Sequence, residues 1–314
     1  MSLFLTLTLL TGCSKTNNSS ADTNVAIITK GSDSDFWSDF KNGAISAATE
    51  FNINVTFEGP DNESDFETQN KMIENAAARN VNAIILSAID YDKNADAVRK
   101  AAENGVKIII VDSDVDADEK ELFIGTDNYS AGEKTAEIAK NLCSGKDVIN
   151  IGIVNSGENT ENNKLRLQGF TKSIEKIENA KILGTVNVAS NTESATDGAQ
   201  HLLEENPEIN LLVGFNEWAT LGVGNAIKKA NAKDTICGIG FDSNTECVSM
   251  LETGELDTLI VQKPFSMGYL AVSNAARILN REKTDAVIKT DVYIVNRENM
   301  FSPDVQKILF GFNN

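Results

Sequence analysis

The chain carries a single histidine, His201, and its four cysteines, Cys13, Cys143, Cys237 and Cys247, include no CxxC pair. Enzymes that use histidine as a base or zinc ligand draw on more of it than this. His201 lies in a polar helical stretch ahead of Asn206 and Pro207 and reads as a surface residue. Zinc and thioredoxin-type chemistry have no motif to stand on. Cys237 and Cys247 could pair in an oxidising compartment, but two small buried residues is the simpler reading. Basic charge is also scarce: 28 Lys and Arg face 46 Asp and Glu, for a formal net charge of -18. That excludes a nucleic-acid partner, whose phosphates need Lys and Arg patches, and broad adsorption to anionic lipid. The acidity itself reads as a solubility device. No P-loop, GxSxG or GxGxxG pattern opens a helix in the proper place. No nucleophile has a base beside it. The chain therefore reads as a non-enzyme, with no cofactor or metal required. Asp112, Asp114, Asp116 and Asp118 imitate the start of a calcium loop, but neither register supplies both the sixth-position Gly and the twelfth-position Glu. They read as a solvated acidic turn.

Long apolar runs are missing too. Leu3 to Leu10 is apolar apart from Thr and is too short to span a bilayer. No Lys or Arg precedes it. Thr11, Gly12 and Cys13 follow, then a polar stretch from Ser14 to Asp22, the layout of a processed signal segment. This junction resembles the lipobox of bacterial lipoproteins. The resemblance implies that Cys13 is diacylated and that residues 1–23 are signal and tether, leaving the protein extracytoplasmic and lipid-anchored to the cell membrane.

What is present is a regular alternation. At 314 residues, 41% hydrophobic and 24% charged, the chain is long enough for two globular lobes. Short apolar runs read as buried strands at Val25–Thr29, Ile53–Phe57, Ala83–Leu86, Lys107–Val111, Val148–Val154, Ile182–Val188, Leu211–Gly214, Ile236–Gly240 and Thr258–Val261. Helix-period segments separate them, among them Trp37–Phe51, Asp65–Arg79, Thr192–Glu205, Ala219–Ala230, Thr245–Thr253 and Ser266–Leu279. The pattern predicts an α/β fold with doubly wound parallel sheets. Right-handed crossovers then bring every strand's carboxyl end to one edge, where ligands bind.

The residues just after the strands are therefore the informative ones. Phe36 and Trp37 follow the first strand and can form a stacking platform for the apolar C–H face of a sugar, or cap the core. Asp112, Asn216, Asp242 and Gln262 each follow a later strand, and Arg166 lies in the helix after Val148–Val154. Carboxylates, amides and a guanidinium at one edge make paired hydrogen bonds to neighbouring hydroxyls, the chemistry of polyol recognition. Taken singly, each is a weak signal, since an Asp after a strand is commonly a helix N-cap. Trp218 can reach the same edge or pack on the lobe surface.

Three stretches, Gly238-Ile239-Gly240-Phe241-Asp242, Arg166-Leu167-Gln168-Gly169-Phe170 and Asn216-Glu217 leading into Leu221-Gly222, carry a resemblance to the periplasmic-type sugar-binding proteins of the ribose/galactose class. It extends from Val25 to Val295. The resemblance implies a type I periplasmic binding fold with two lobes, about 24–126 plus 263–290 and 127–262 plus 291–314. Three hinge crossings would lie at Thr126-Asp127, Gln262-Lys263 and Thr290-Asp291. Phe36 and Trp37 would stack on the sugar, and Asp112, Arg166, Asn216, Asp242 and Gln262 would bind its hydroxyls. A monomer handing a monosaccharide or small polyol to an ABC permease is implied, or alternatively one presenting it to a chemoreceptor or sensor kinase. The chain departs from the ribose binders at Ser113, where they carry Arg, and near Ser190 and Asn191, where an aromatic is missing. Both departures predict a pocket roomier than a pentose needs.

Overall fold

The computed structural model describes residues 23–310 except positions 33 and 158, so the Cys13 junction lies outside the described residues. In chain order the first part runs β1 (Asn24–Ile28), α1 (Asp35–Phe51), β2 (Asn54–Glu58), α2 (Phe66–Ala78), β3 (Ala83–Leu86), α3 (Ala95–Glu103), β4 (Lys107–Val111) and β5 (Lys120–Thr126). The second part runs α4 (Asn128–Leu142), β6 (Ile149–Ser156), α5 (Glu161–Ile174), β7 (Ala180–Val188), α6 (Thr192–Glu205), β8 (Leu211–Gly214), α7 (Glu217–Lys229), β9 (Cys237–Phe241), α8 (Thr245–Thr253) and β10 (Thr258–Val261). The chain closes with α9 (Pro264–Leu279), β11 (Val287–Thr290), β12 (Tyr293–Asn296) and α10 (Pro303–Leu309).

Two six-stranded sheets result, ordered β11-β5-β4-β3-β1-β2 and β12-β10-β9-β8-β6-β7. Every pairing is parallel except β10 with β12. The chain passes between the sheets after Thr126, between Val261 and Pro264, and again after Thr290. Both lobes are thus discontinuous in sequence. The central strands, such as Ala83–Leu86 and Leu211–Gly214, are buried on both faces. Hence they read as unbroken apolar runs with no alternation. The later start that periodicity gives α7, at Ala219, leaves out Glu217 and Trp218, because Asn216 caps the helix by accepting from the Ala219 N–H. The terminal β12 and α10 are too short to carry a periodic signal.

Helix spacing in each lobe is set by glycine. A Cβ on Gly43 would fall on the Phe265 carbonyl, and one on Gly268 on the Phe40 carbonyl, so α1 and α9 touch backbone to backbone. The second lobe repeats the arrangement with Gly132 against Arg166 and Gly169 against Tyr129, joining α4 to α5.

The cysteines fall differently from the Cys237–Cys247 pairing. Cys247 is buried beside Val248 and Met250 on one face of the second sheet. Cys237 opens β9 on the other face, where its Sγ lies 4.0 Å from that of Cys143. The Cys237 side chain leaves β9 toward one face of the sheet, while α8, which carries Cys247, packs on the other. His201 is exposed on α6, with Nε2 3.3 Å from Glu205.

Gly132→Ala is expected to cost about 1–3 kcal/mol of stability, because the added methyl must push α5 away from α4. Urea unfolding would reveal it as a lower midpoint at unchanged slope. A midpoint equal to wild type would show that the helices part without cost.

Candidate functional site

The carboxyl ends of the two sheets face one another across a cleft. A cavity of about 40 Å³ there is lined by Phe36, Trp37, Asp112, Arg166, Asn216, Asp242 and Gln262. All seven residues chosen from the strand ends are thus brought together, from both lobes. Phe36 and Trp37 open α1, with ring centroids 4.9 Å apart and planes at 86°. Ser34 caps that helix by accepting from the Trp37 N–H. Trp37 is also part of the first-lobe core with Phe40, so packing and lining coincide in one side chain.

Asp112 and Asp242 occupy equivalent places after β4 and β9. Both have left-handed backbone, φ 58° and φ 70°. Each donates its backbone N–H to the strand beside it, Asp112 to Ile124 and Asp242 to Ile260. Non-glycine residues in this region carry about 1–3 kcal/mol of strain, which persists where the surroundings enforce it and is common at ligand clamps.

Their electrostatic surroundings differ. Asp112 Oδ2 lies 2.9 Å from Lys30 Nζ and accepts from Ser87 Oγ at 3.0 Å. Its Oδ1 accepts from Asn162 Nδ2 at 2.9 Å, across the cleft from the other lobe. Burial pushes the Asp112 carboxyl up, but Lys30, Arg166 and these hydrogen bonds outweigh it and hold it below its usual value. Asp242 accepts from Gln262 Nε2 at 2.8 Å. For Asp242 burial prevails over Arg166 and Gln262, and its carboxyl titrates above the usual range.

Arg166 lies between the two carboxylates and is 1% exposed. Its Nε donates to Asn128 Oδ1 at 2.8 Å, one terminal nitrogen to the Phe215 carbonyl at 2.7 Å and the other to Gln262 Oε1 at 2.6 Å. The guanidinium stacks 4.6 Å from the Phe241 ring centroid. Burial draws its pKa down while Asp242 and Asp112 draw it up, with a net lowering. Gln262 is shared further: Thr126 Oγ1 donates to the same Oε1 at 2.9 Å, tying two of the crossing segments. Asn216 lines the cavity, but its Oδ1 is committed to capping α7 and its Nδ2 to the Ser156 carbonyl at 3.3 Å.

The strand-end residues leave out Lys30, Glu63, Asn162 and Glu217, which also line the cavity. Lys30 follows β1 directly and the strand-end rule reaches it. Asn162 stands one helical turn before Arg166, on the same face of α5. Glu63 lies in the β2–α2 loop, where no periodicity points to it, and accepts from Trp37 Nε1 at 3.2 Å. Trp218 lines the cavity and also packs on the second-lobe core. Ser113 corrects the expectation that it faces the cleft: it is fully buried, away from the cavity lining, with its hydroxyl unpartnered among the described residues. The Ser113 N–H turns back to the Val111 carbonyl at 2.6 Å, and with the positive φ of Asp112 this directs the chain inward. The acidic turn divides likewise. Asp112 enters the cleft, while Asp114 accepts from Lys120 Nζ at 2.8 Å.

Comparison with known proteins agrees with this geometry. A model of the periplasmic binding protein domain matches residues 25–283. The D-allose-binding periplasmic protein of Escherichia coli (strain K12) is 23% identical over 289 residues, 90% of this chain and 92% of that protein. An ABC transporter solute binding protein from Agrobacterium vitis with bound D-fucose superposes with a TM-score of 0.88 at 30% identity, covering 91% of this chain and 100% of that one. A carbohydrate transporter solute binding protein from Agrobacterium radiobacter, in complex with D-arabinose, gives 0.89 at 27% identity, covering 93% and 100%. Two α/β lobes around a polar cleft are the architecture these binding proteins share. The chain belongs to the periplasmic binding protein family, and its relatives are that family's sugar-binding members of the ribose/galactose class.

Glu217 provides a pH test of this cleft. It is 7% exposed and accepts from Asn244 Nδ2 at 2.9 Å. Burial pushes its carboxyl up to about 7 from 4.5, with Asp242, Asp35 and Glu63 adding to the rise and Asn244 opposing it. The folded value lies above the unfolded one, so the native chain holds the extra proton between those limits. Its stability then falls as pH rises through 7, by about 3 kcal/mol at most. Glu217→Gln stays neutral, so its stability relative to wild type should be higher at pH 8 than at pH 5. Thermal melts at both pH values check this. An equal difference at both would mean that Glu217 ionises as it does in water.

Proposed function

We propose that this chain captures a monosaccharide or related small polyol between its lobes and delivers it to an ABC importer outside the cytoplasm. The convergence of Asp112, Arg166, Asp242 and Gln262 in one cleft, with the cross-lobe bond from Asn162 to Asp112, carries the reading. Adjacent sugar hydroxyls each donate and accept, and a cleft with Lys30 and Arg166 as donors and Asp112 and Asp242 as acceptors meets both demands. Phe36 and Trp37 offer the ring's C–H face an apolar wall. A ligand touching both lobes favours the closed form by its differential contacts, and closure is what a permease or receptor would read. The sugars named for the D-allose, D-fucose and D-arabinose proteins support this class of ligand. We further propose that Cys13 is lipidated and that residues up to 23 tether the lobes to the membrane. No described helix is long and apolar enough to cross one.

Removing a buried hydrogen-bonding partner costs about 1–3 kcal/mol, and more when it is charged. Asp242→Ala should therefore weaken sugar binding by about tenfold to several hundredfold while the fold survives. Titration calorimetry against pentoses and hexoses measures it, and an unchanged affinity would remove Asp242 from the site.

Expressed with its own leader, the wild-type protein should partition into detergent with an added lipid mass, and Cys13→Ser should be released to the soluble fraction. A Ser variant that stays with the membrane would refute the anchor.

A further inference from the structure

Beside the inner cavity is a second and larger space. It measures about 300 Å³ against about 40 Å³ for the inner one, and Glu63 lines both. Its walls come from both lobes: the segment after β3 and the start of α2 on one side, the end of β7 on the other. β2 and β7 are the edge strands farthest from β11 and β12, where the chain crosses between lobes. This chamber therefore lies on the side of the cleft that opens, outward of the sugar pocket.

Its chemistry is mixed. Phe66, Ile89 and Val188 supply apolar surface. Asp90 is buried, with Oδ1 accepting from the Asp92 and Lys93 N–H groups and Oδ2 3.7 Å from Lys93 Nζ. Lys93 Nζ also stands 4.4 Å from the Phe66 ring centroid. The rim is held in advance: Asn94 Oδ1 accepts from the Asp90 N–H and Asn94 Nδ2 donates to Asn70 Oδ1, both at 2.8 Å. Opposite, Asn187 Oδ1 accepts from Asn155 Nδ2 at 2.8 Å, and Ser190 Oγ lies 3.0 Å from Ser156 Oγ. Charged and amide groups held by their neighbours, beside an aromatic ring and two aliphatic side chains, form a surface suited to another polar ring with C–H faces. Among the described residues, the second-lobe wall of the chamber carries no aromatic side chain.

We propose that the chamber is a second subsite and that the ligand is a glycosylated sugar, its inner ring in the Asp112–Asp242 pocket and an outer ring against Phe66, Asp90 and Asn187. This rests on the sugar-binding reading above and extends it. Contacts to the outer ring would come from both lobes, so it adds to closure and does not obstruct it.

The test is calorimetric titration of the full chain with free aldopentoses and aldohexoses and with the disaccharides that carry the same sugars. The best disaccharide should bind at least tenfold more tightly than its own inner monosaccharide. Ser64→Trp, at an exposed position in the chamber wall, should abolish that advantage and leave monosaccharide affinity unchanged. Asn187→Ala should reduce it severalfold, as a second variant whose smaller side chain introduces no crowding. Monosaccharides binding as tightly as every disaccharide would overturn the second subsite and leave the sugar reading intact, as would a disaccharide advantage that survives Ser64→Trp. Binding of no sugar of either kind would overturn both.

Discussion

A guanidinium with almost no exposure to water constrains the whole cleft. Arg166 has exchanged its hydration for three hydrogen bonds, to Asn128, Phe215 and Gln262, and for the Phe241 ring. Each partner is fixed by a different element: α4, the end of β8, the end of β10 and β9. A buried charge is tolerated only when its partners stay in place, and removing one such partner costs about 3–5 kcal/mol. The second lobe is thus organised around the position of this side chain. Gly132 and Gly169 are part of the same constraint, because only a glycine contact lets α5 approach α4 closely enough to bring Arg166 under the sheet edge. Arginine has five donors, and three are used here.

The two lobes reach similar ends with different charge arrangements. Asp112 and Asp242 share a backbone geometry and a place after a strand, yet Asp112 pairs directly with Lys30, while Asp242 has the Gln262 hydrogen bond and the fields of Arg166 and Lys30. Burial acts on both. Lys30 reverses its effect on the first carboxylate, and nothing of equal strength does so on the second. One carboxyl is held below its usual range and the other above it, so the two acceptors of the cleft are not equivalent. Glu217, in the same lobe as Asp242 and pushed up by burial, adds to that asymmetry.

Most of this was legible in the sequence, for a topological reason. Parallel strands place their carboxyl ends on one edge, so the polar residues just after an apolar run are brought to the cleft. That rule reached Asp112, Asn216, Asp242 and Gln262, and applied strictly it would have reached Lys30. It fails where the backbone turns. Ser113 follows Asp112 by one position, but a left-handed residue and a tight turn bury it, and neither is visible in residue identity. Glu63 is invisible for another reason: it lies mid-loop and owes its place to a bond from Trp37, 26 positions away. The Cys237–Cys247 alternative, set below two small buried residues from the sequence, falls because closeness in sequence says nothing about which sheet face a side chain takes.

The inner cavity is small, and its polar groups satisfy one another. Lys30 pairs with Asp112, Gln262 with Asp242, and Arg166 with Gln262. A ligand must replace these bonds as well as add its own, so a molecule offering donors alone, or acceptors alone, would leave one side of each pair buried and unpaired. That costs about 1–3 kcal/mol per group, more for charged ones. Vicinal hydroxyls escape the cost because each can accept from Lys30 or Arg166 while donating to Asp112 or Asp242. On the proposed reading, selectivity for polyols over simple anions or cations would follow from the internal pairing itself. The shape of the walls then has only to choose among polyols.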